Sequence, residues 1–543
     1  MRVFTAWVCF LLAFSSSIAL GKVSIKTGVQ ATNYVVHLDG VDFQPVMLEG
    51  NQFVTAKLVG AERFGAIRYD IGRPELPVVR FLVDGDVSVE VPSAEIEGSL
   101  QNKAPIRPSQ PSWSKSQKNS PKLVYDRSYY ANSAIADVAA YEIETVGSFR
   151  GVPRRMVTLN ALRYNAATGA YRLTTDYKVT VKSRPVKTSD QLTMAIISGA
   201  QFADSPALAR LVEMKKSQGY NVKKLSVGTD VDSSPVAIRE ALRSIYLQEA
   251  NLRFAVLVGD VEDVPSYESE IIYGVTDHYY RAIDLPDYEA DINGPDIGVG
   301  RLSVNTESQL EALVHKIEKY GKLAAASKLQ DHDAESWKIH PAFIATHDRY
   351  QVAEATHNAV IAQHFAPRGY LSAFPNASEK GGDKLYPISL SATKRQIVSH
   401  MADGRFIINF SGHGSYTGWE DVTTADVLSF THPTALPWVL SNACITGDFR
   451  EEQVFGETWL RHPNGAIVFW GSMDSSYWDE DDILERAAYG AVFTDGIRSF
   501  DLIHQAALAE VWRYYGGANR SKYYRETYVT FGDPSLELRL GLR

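Results

Sequence analysis

The period of apolar positions changes near residue 187. From 22 to about 100 they alternate with polar ones, as in Tyr34, Val36 and Leu38 and again in Val87, Val89 and Val91. A period of two lays one face of a strand on a core. Alternation resumes at 147–152, 159–163 and 171–173, with an Asn- and Gly-containing turn over 165–169. Residues 22–187 are therefore expected to form a β-rich domain. Between its halves, 101–122 is polar, rich in Ser and Lys and punctuated by Pro105, Pro108 and Pro111, which reads as a loop or linker.

Beyond 187, short runs are apolar throughout, the mark of strands buried on both faces. Strands are expected at 194–198, 254–259, 342–345, 406–410, 438–440 and 466–470. Helical spacing lies between them. Ser205 and Pro206 are placed to cap and open a helix over 206–217, and a longer helix is expected over 306–324. This alternation predicts an α/β domain over 188–543, with a mainly parallel sheet and helices on both faces. Ligand chemistry in such sheets gathers beyond the carboxyl ends of the strands.

Composition narrows the partners. A formal net charge of -9 offers no basic footprint for nucleic acid. Met1 and Arg2 precede an apolar run from 3 to 14 and small residues up to Gly21, the form of a secretory signal peptide over 1–21. That run is too short to span a bilayer, and no later window is apolar enough, so no transmembrane segment is expected. The exported chain is expected to be secreted or extracytoplasmic. The sequence has two cysteines, and Cys9 leaves with the leader. Cys444 remains, either buried as a small hydrophobe or used as a nucleophile.

Two predicted strands end in residues suited to chemistry. The run 406–410 empties into Ser411-Gly412-His413-Gly414, and the run from Trp438 ends at Cys444, 31 residues after His413. That separation allows one crossover between neighbouring parallel strands. A thiol and an imidazole at one sheet edge make a nucleophile and its acid–base partner. A helix expected over 452–461, or an imidazolium, favours the thiolate. The N–H groups of Gly414 and Cys444 are candidates to hold an oxyanion. No zinc helix, nucleophile-elbow serine or phosphate loop competes.

The blocks Gly412-His413-Gly414-Ser415, Asn442-Ala443-Cys444-Ile445-Thr446-Gly447-Asp448-Phe449 and Phe531-Gly532-Asp533-Pro534-Ser535-Leu536 resemble the gingipain-type cysteine peptidases, a family of the caspase-like clan. The resemblance implies a secreted zymogen: a β-rich prosegment that inhibits the enzyme, then a caspase-like catalytic domain acting on protein or peptide substrates. Gingipains carry an immunoglobulin-like domain after the catalytic one, and this chain is expected to lack it. Lys187 is a candidate activation point. Asp348 is the acid expected to support His413, with Glu354 as the alternative.

Trp478 resembles the wall of the family's specificity pocket and Asp481 the acid of its lysine-preferring branch, a pairing that favours Lys or Arg before the cleaved bond. No cofactor is required for the chemistry. Because family members bind structural calcium, Glu289, Asp291 and Asn293 are candidate ligands, although Gly300 stands where a calcium loop carries its last acid. Two readings stay open beside the endopeptidase: a surface-protein transpeptidase of the same family, and a non-catalytic exported binding protein.

Overall fold

The computed structural model describes residues 17–20, 23–27, 31–92, 94–100, 104–132, 138–182, 191–249, 251–323, 329, 333, 335–432, 434–517 and 519–542. Of the leader expected at 1–21, only Ser17–Leu20 is described, as a strand paired with Val23–Thr27. Lys187 lies outside the described residues.

The second half of the chain is built on one ten-stranded sheet. In chain order its strands are β1 Thr193–Ser198, β2 Asn221–Ser226, β3 Leu252–Val258, β4 Gly298–Leu302, β5 Pro341–Ala345, β6 Asp383–Leu385, β7 Ile407–Ser411, β8 Trp438–Asn442, β9 Val468–Ser472 and β10 Tyr528–Phe531. In space they run 2-1-3-4-10-9-8-7-5-6. All neighbours are parallel except β9 and β10. Helices cover both faces, so every residue of β1, β4, β5, β7, β8 and β9 is buried. This explains why these segments are apolar without alternation. The helix starts follow their caps: Ser205 Oγ accepts from Leu208 N, and Thr306 Oγ1 from Gln309 N. The antiparallel β10 was not expected. It follows the helix Asn519–Thr527 and closes the gap between β4 and β9.

The first half is β-rich. Its larger sheets join Ala31–His37 to Asp176–Lys182 and Asp86–Glu90, and Tyr141–Phe149 to Val152–Leu159, Leu76–Asp84 and Gly65–Arg68. Val36, Phe81, Val157 and Tyr177 close its own core. The expected turn at 165–169 is present: Asn165 Oδ1 accepts from Ala167 N and Thr168 N, and Gly169 takes a φ of 73°.

The two halves are locked together by polar contacts as well as packing. The Arg80 guanidinium donates to the carbonyls of Arg513 and Tyr514 at 2.8 Å, closing the last turn of the helix Phe500–Tyr515. Trp512 of that helix packs on Val146 and Met156. Gly151 N donates to Asp284 Oδ2, and the Arg150 guanidinium lies 3.5 Å from the centre of the Tyr246 ring.

The polar run read as a linker has neither helix nor strand over its described part, 104–122, but it is no free spacer. It crosses onto the second half, where Ser114 bridges antiparallel to Tyr477 and Lys115 is completely buried. Composition shows that this run has no core of its own. It does not show that another domain supplies one.

Candidate active site

β7 and β8 are parallel neighbours, and their last registered pair is Ser411 with Asn442. His413 and Cys444 each lie two residues past that pair, so both leave the sheet at the same rim. The glycines around His413 are required by close approach. A Cβ on Gly412 would stand 2.6 Å from that of Thr346, and one on Gly414 would stand 2.5 Å from the Cys444 carbonyl oxygen. Gly414 thus lies against the backbone of Cys444, where the sequence placed the oxyanion donors.

His413 Nε2 is 2.7 Å from Asp348 Oδ1. Asp348 sits in the loop after β5, the strand next to β7. Glu354 is elsewhere: it is buried in the helix Tyr350–Val360, and its Oε1 has no hydrogen-bond partner among the described residues. Of the two candidate acids, Asp348 is the one within hydrogen-bond distance of the imidazole. The ring also meets Trp478, in a T-shaped contact with centroids 5.9 Å apart.

Cys444 is 5% exposed, and its Sγ accepts from Ser476 N at 3.3 Å. Burial pushes the thiol above its ordinary range. The Ser476 N–H and the Lys115 ammonium oppose that rise, and Asp481 adds to it. The helix expected over 452–461 is Phe455–Arg461, and Gly456 N in its first turn donates to Thr446 O, two residues past Cys444. The residue after Cys444, Ile445, has a φ of 50°, a strained conformation for a β-branched side chain and a frequent one at functional turns.

Beside the thiol lies a pocket with a charge at its floor and an aromatic wall. Trp478 and Asp481 open the helix Trp478–Phe493. Asp481 Oδ1 accepts from the hydroxyls of Tyr524 at 3.0 Å and Tyr528 at 2.7 Å, which hold the carboxylate in place. The prosegment fills this pocket. Lys115 Nζ lies 2.6 Å from Asp481 Oδ2, 2.6 Å from Asn442 O and 3.2 Å from Ser411 Oγ, and 4.9 Å from the centre of the Trp478 ring. Its backbone is held by one antiparallel bridge: Lys115 N donates to Ser476 O at 2.8 Å, and Trp478 N donates to Trp113 O at 3.2 Å.

Lys115, Ser476, Tyr524 and Tyr528 were missed by the sequence. Lys115 looks like any solvated lysine in a polar run. The one signal was Trp113 two residues earlier, the sole aromatic of that run.

The candidate calcium ligands do not fit the ion. Their segment is a short helix, Tyr288–Asp291. Glu289 is exposed and paired with Lys522, and Asp291 accepts from the backbone N–H groups of Ser148 and Leu285. Asn293 Oδ1 alone is buried without a hydrogen-bond partner, far short of the six to eight oxygens calcium takes. Among the described residues, one set of three acid or imidazole side chains converges, Asp348, His413 and Glu420, and it contains the imidazole–carboxylate pair itself.

A caspase-like sheet carrying a thiol and an imidazole at one rim, behind a β-rich segment laid over the pocket, defines a cysteine-peptidase precursor fold. The chain belongs to Peptidase family C25, whose profile matches residues 187–539, and Propeptide_C25 matches residues 32–202. It is similar to Lys-gingipain HG66 of Porphyromonas gingivalis, 24% identical over 500 residues, covering 81% of this chain and 27% of the relative. Gingipain R2 of Porphyromonas gingivalis is 23% identical over 395 residues, covering 65% of this chain and 47% of the relative. The crystal structure of the Arg-specific cysteine proteinase gingipain R shares the fold, with a TM-score of 0.54 at 20% identity, covering 66% of this chain and 80% of that one. The chain thus spans about a quarter to a half of the length of these curated relatives.

Proposed function

We propose that this chain is the latent, exported precursor of a cysteine endopeptidase that cleaves after lysine and is inhibited by its own prosegment. One observation carries the reading: a lysine of the prosegment is docked as a substrate side chain in an acidic, tryptophan-walled pocket beside Cys444. An ammonium has three N–H donors, and Asp481, Asn442 and Ser411 supply three acceptors for Lys115. A guanidinium is planar and carries five donors, so this pocket favours Lys over Arg. The export part of the reading rests on the leader-like residues 1–21. Among the described residues no helix is long and apolar enough to cross a membrane.

In the proposed chemistry, release of the prosegment uncovers Cys444. The sulfur gives its proton to His413 and attacks the substrate carbonyl after the lysine, forming a tetrahedral oxyanion near the Gly414 and Cys444 N–H groups. His413 returns the proton to the leaving amine as the C–N bond breaks, leaving a thioester on Cys444. Water, its proton taken by His413, then attacks the thioester and releases the acid and the thiol. Asp348 holds the imidazole in one tautomer and steadies its charged form.

The test is Cys444→Ala in the full-length protein. The variant is expected to fold, judged by an unchanged melting profile, yet to lose both self-processing and labelling by a thiol-directed lysyl peptide. Retained peptidase activity would refute the assignment.

A further inference from the structure

We propose that Arg349 builds a subsite for an aromatic side chain two residues before the scissile lysine. The inference rests on the reading of Lys115 as a docked substrate lysine. Three observations carry it beyond that reading.

First, the strand-like contact is supplied by backbone groups of the catalytic half. Ser476 O and Trp478 N bind Lys115 N and Trp113 O, with Ser114 opposite Tyr477. These groups stay where they are whichever peptide pairs with them. A substrate with lysine in the pocket therefore repeats the register and places its own residue at the Trp113 position. Second, Trp113 and Lys115 both meet side chains of the catalytic half, Arg349 and Trp478, so a substrate residue at the Trp113 position shares that side with its lysine.

Third, this face meets a cation. The Arg349 guanidinium lies 3.3 Å from the centre of the Trp113 ring. Arg349 follows Asp348, the partner of His413, and stands at the start of the helix Tyr350–Val360 with a φ of 49°. Helix and loop together fix the point from which its side chain departs. A planar guanidinium stacks on an aromatic face and gives little to an aliphatic one. The preferred substrate thus carries an aromatic residue two positions before the lysine, as in Trp113-Ser114-Lys115.

The test uses the enzyme activated from its full-length precursor and fluorogenic peptides X-Ser-Lys in which X is Trp, Phe, Ala or Glu. The kcat/KM for Trp is expected to exceed that for Ala about two- to fivefold, the size of an exposed cation–π contact. Arg349→Ala should bring the ratio to about one, and Arg349→Lys should leave it in between. The ratio is taken within each variant, so a loss of active protein does not change it. A ratio of one in the unmodified enzyme, a preference that survives Arg349→Ala, or Glu favoured over Trp would overturn the subsite. If all peptides are cleaved after lysine but equally well, this inference alone falls. If no lysyl peptide is cleaved, the proposed function falls and takes the subsite with it.

Discussion

The ammonium of Lys115 and the carboxylate of Asp481 meet at 2.6 Å, and neither side chain is more than 1% exposed. One charge belongs to the prosegment and the other to the pocket. Each is buried by the other's domain, so under the proposed function the pair would couple the latency of the precursor to the recognition of substrate. Losing one partner of a buried pair is costly, about 3–5 kcal/mol, because the remaining charge is stranded.

Lys115→Ala in the full-length protein should therefore loosen the prosegment by about two to three orders of magnitude. Labelling of Cys444 by a thiol-directed peptide is the readout, and it should be faster than in the unmodified precursor. An unchanged labelling rate would show that Lys115 does not hold the prosegment in place.

Asp481→Asn removes the charge but keeps the shape. The kcat/KM for peptides with lysine before the cleaved bond is expected to fall on the order of a hundredfold, while cleavage after a neutral residue changes far less. Equal loss on both peptides would mean that Asp481 supports the fold of the pocket rather than its choice of residue.

Asp348→Asn and Glu354→Gln separate the two candidate acids. The first should lower kcat by about 10²–10⁴, since the imidazole loses the carboxylate that orients it. The second should leave kcat close to its original value, because Glu354 lies in the packed interior and does not pair with His413. A larger loss from Glu354→Gln than from Asp348→Asn would reverse the roles.

A pH dependence is expected at the prosegment contact. Burial pushes Glu480 up to about 7 from an ordinary value near 4.5; Arg520 and Ser112 of the prosegment oppose the rise, and Asp479 adds to it. Between these values the folded chain holds a proton that the unfolded chain has lost, so stability falls as pH rises through the window. The full-length protein should melt at a higher temperature at pH 5 than at pH 8, other groups being equal. Glu480→Gln should flatten this part of the profile. A slope unchanged by that substitution would assign it to other carboxylates.

Much of the scaffold was legible because it follows from local pattern. The strands at 194–198, 254–259 and 406–410 are largely apolar because helices cover both faces, and Ser205 caps the helix it was expected to cap. The common rim of His413 and Cys444 was also within reach, since both end strands of one parallel sheet. The antiparallel β10 gave no such signal. Its four residues fill a gap whose edges, β4 and β9, lie far away along the chain.

The order of apolar and polar residues was enough to set out a β-rich half, an α/β half and a thiol with an imidazole at its edge, because burial and strand periodicity are read one segment at a time. Which carboxylate meets the imidazole and what fills the pocket were decided only in three dimensions. Asp348 is 65 residues from His413, and Lys115 is 366 residues from Asp481. Contacts across such distances depend on how finished domains dock, and a lysine in a polar run carries no local mark of the carboxylate it will meet.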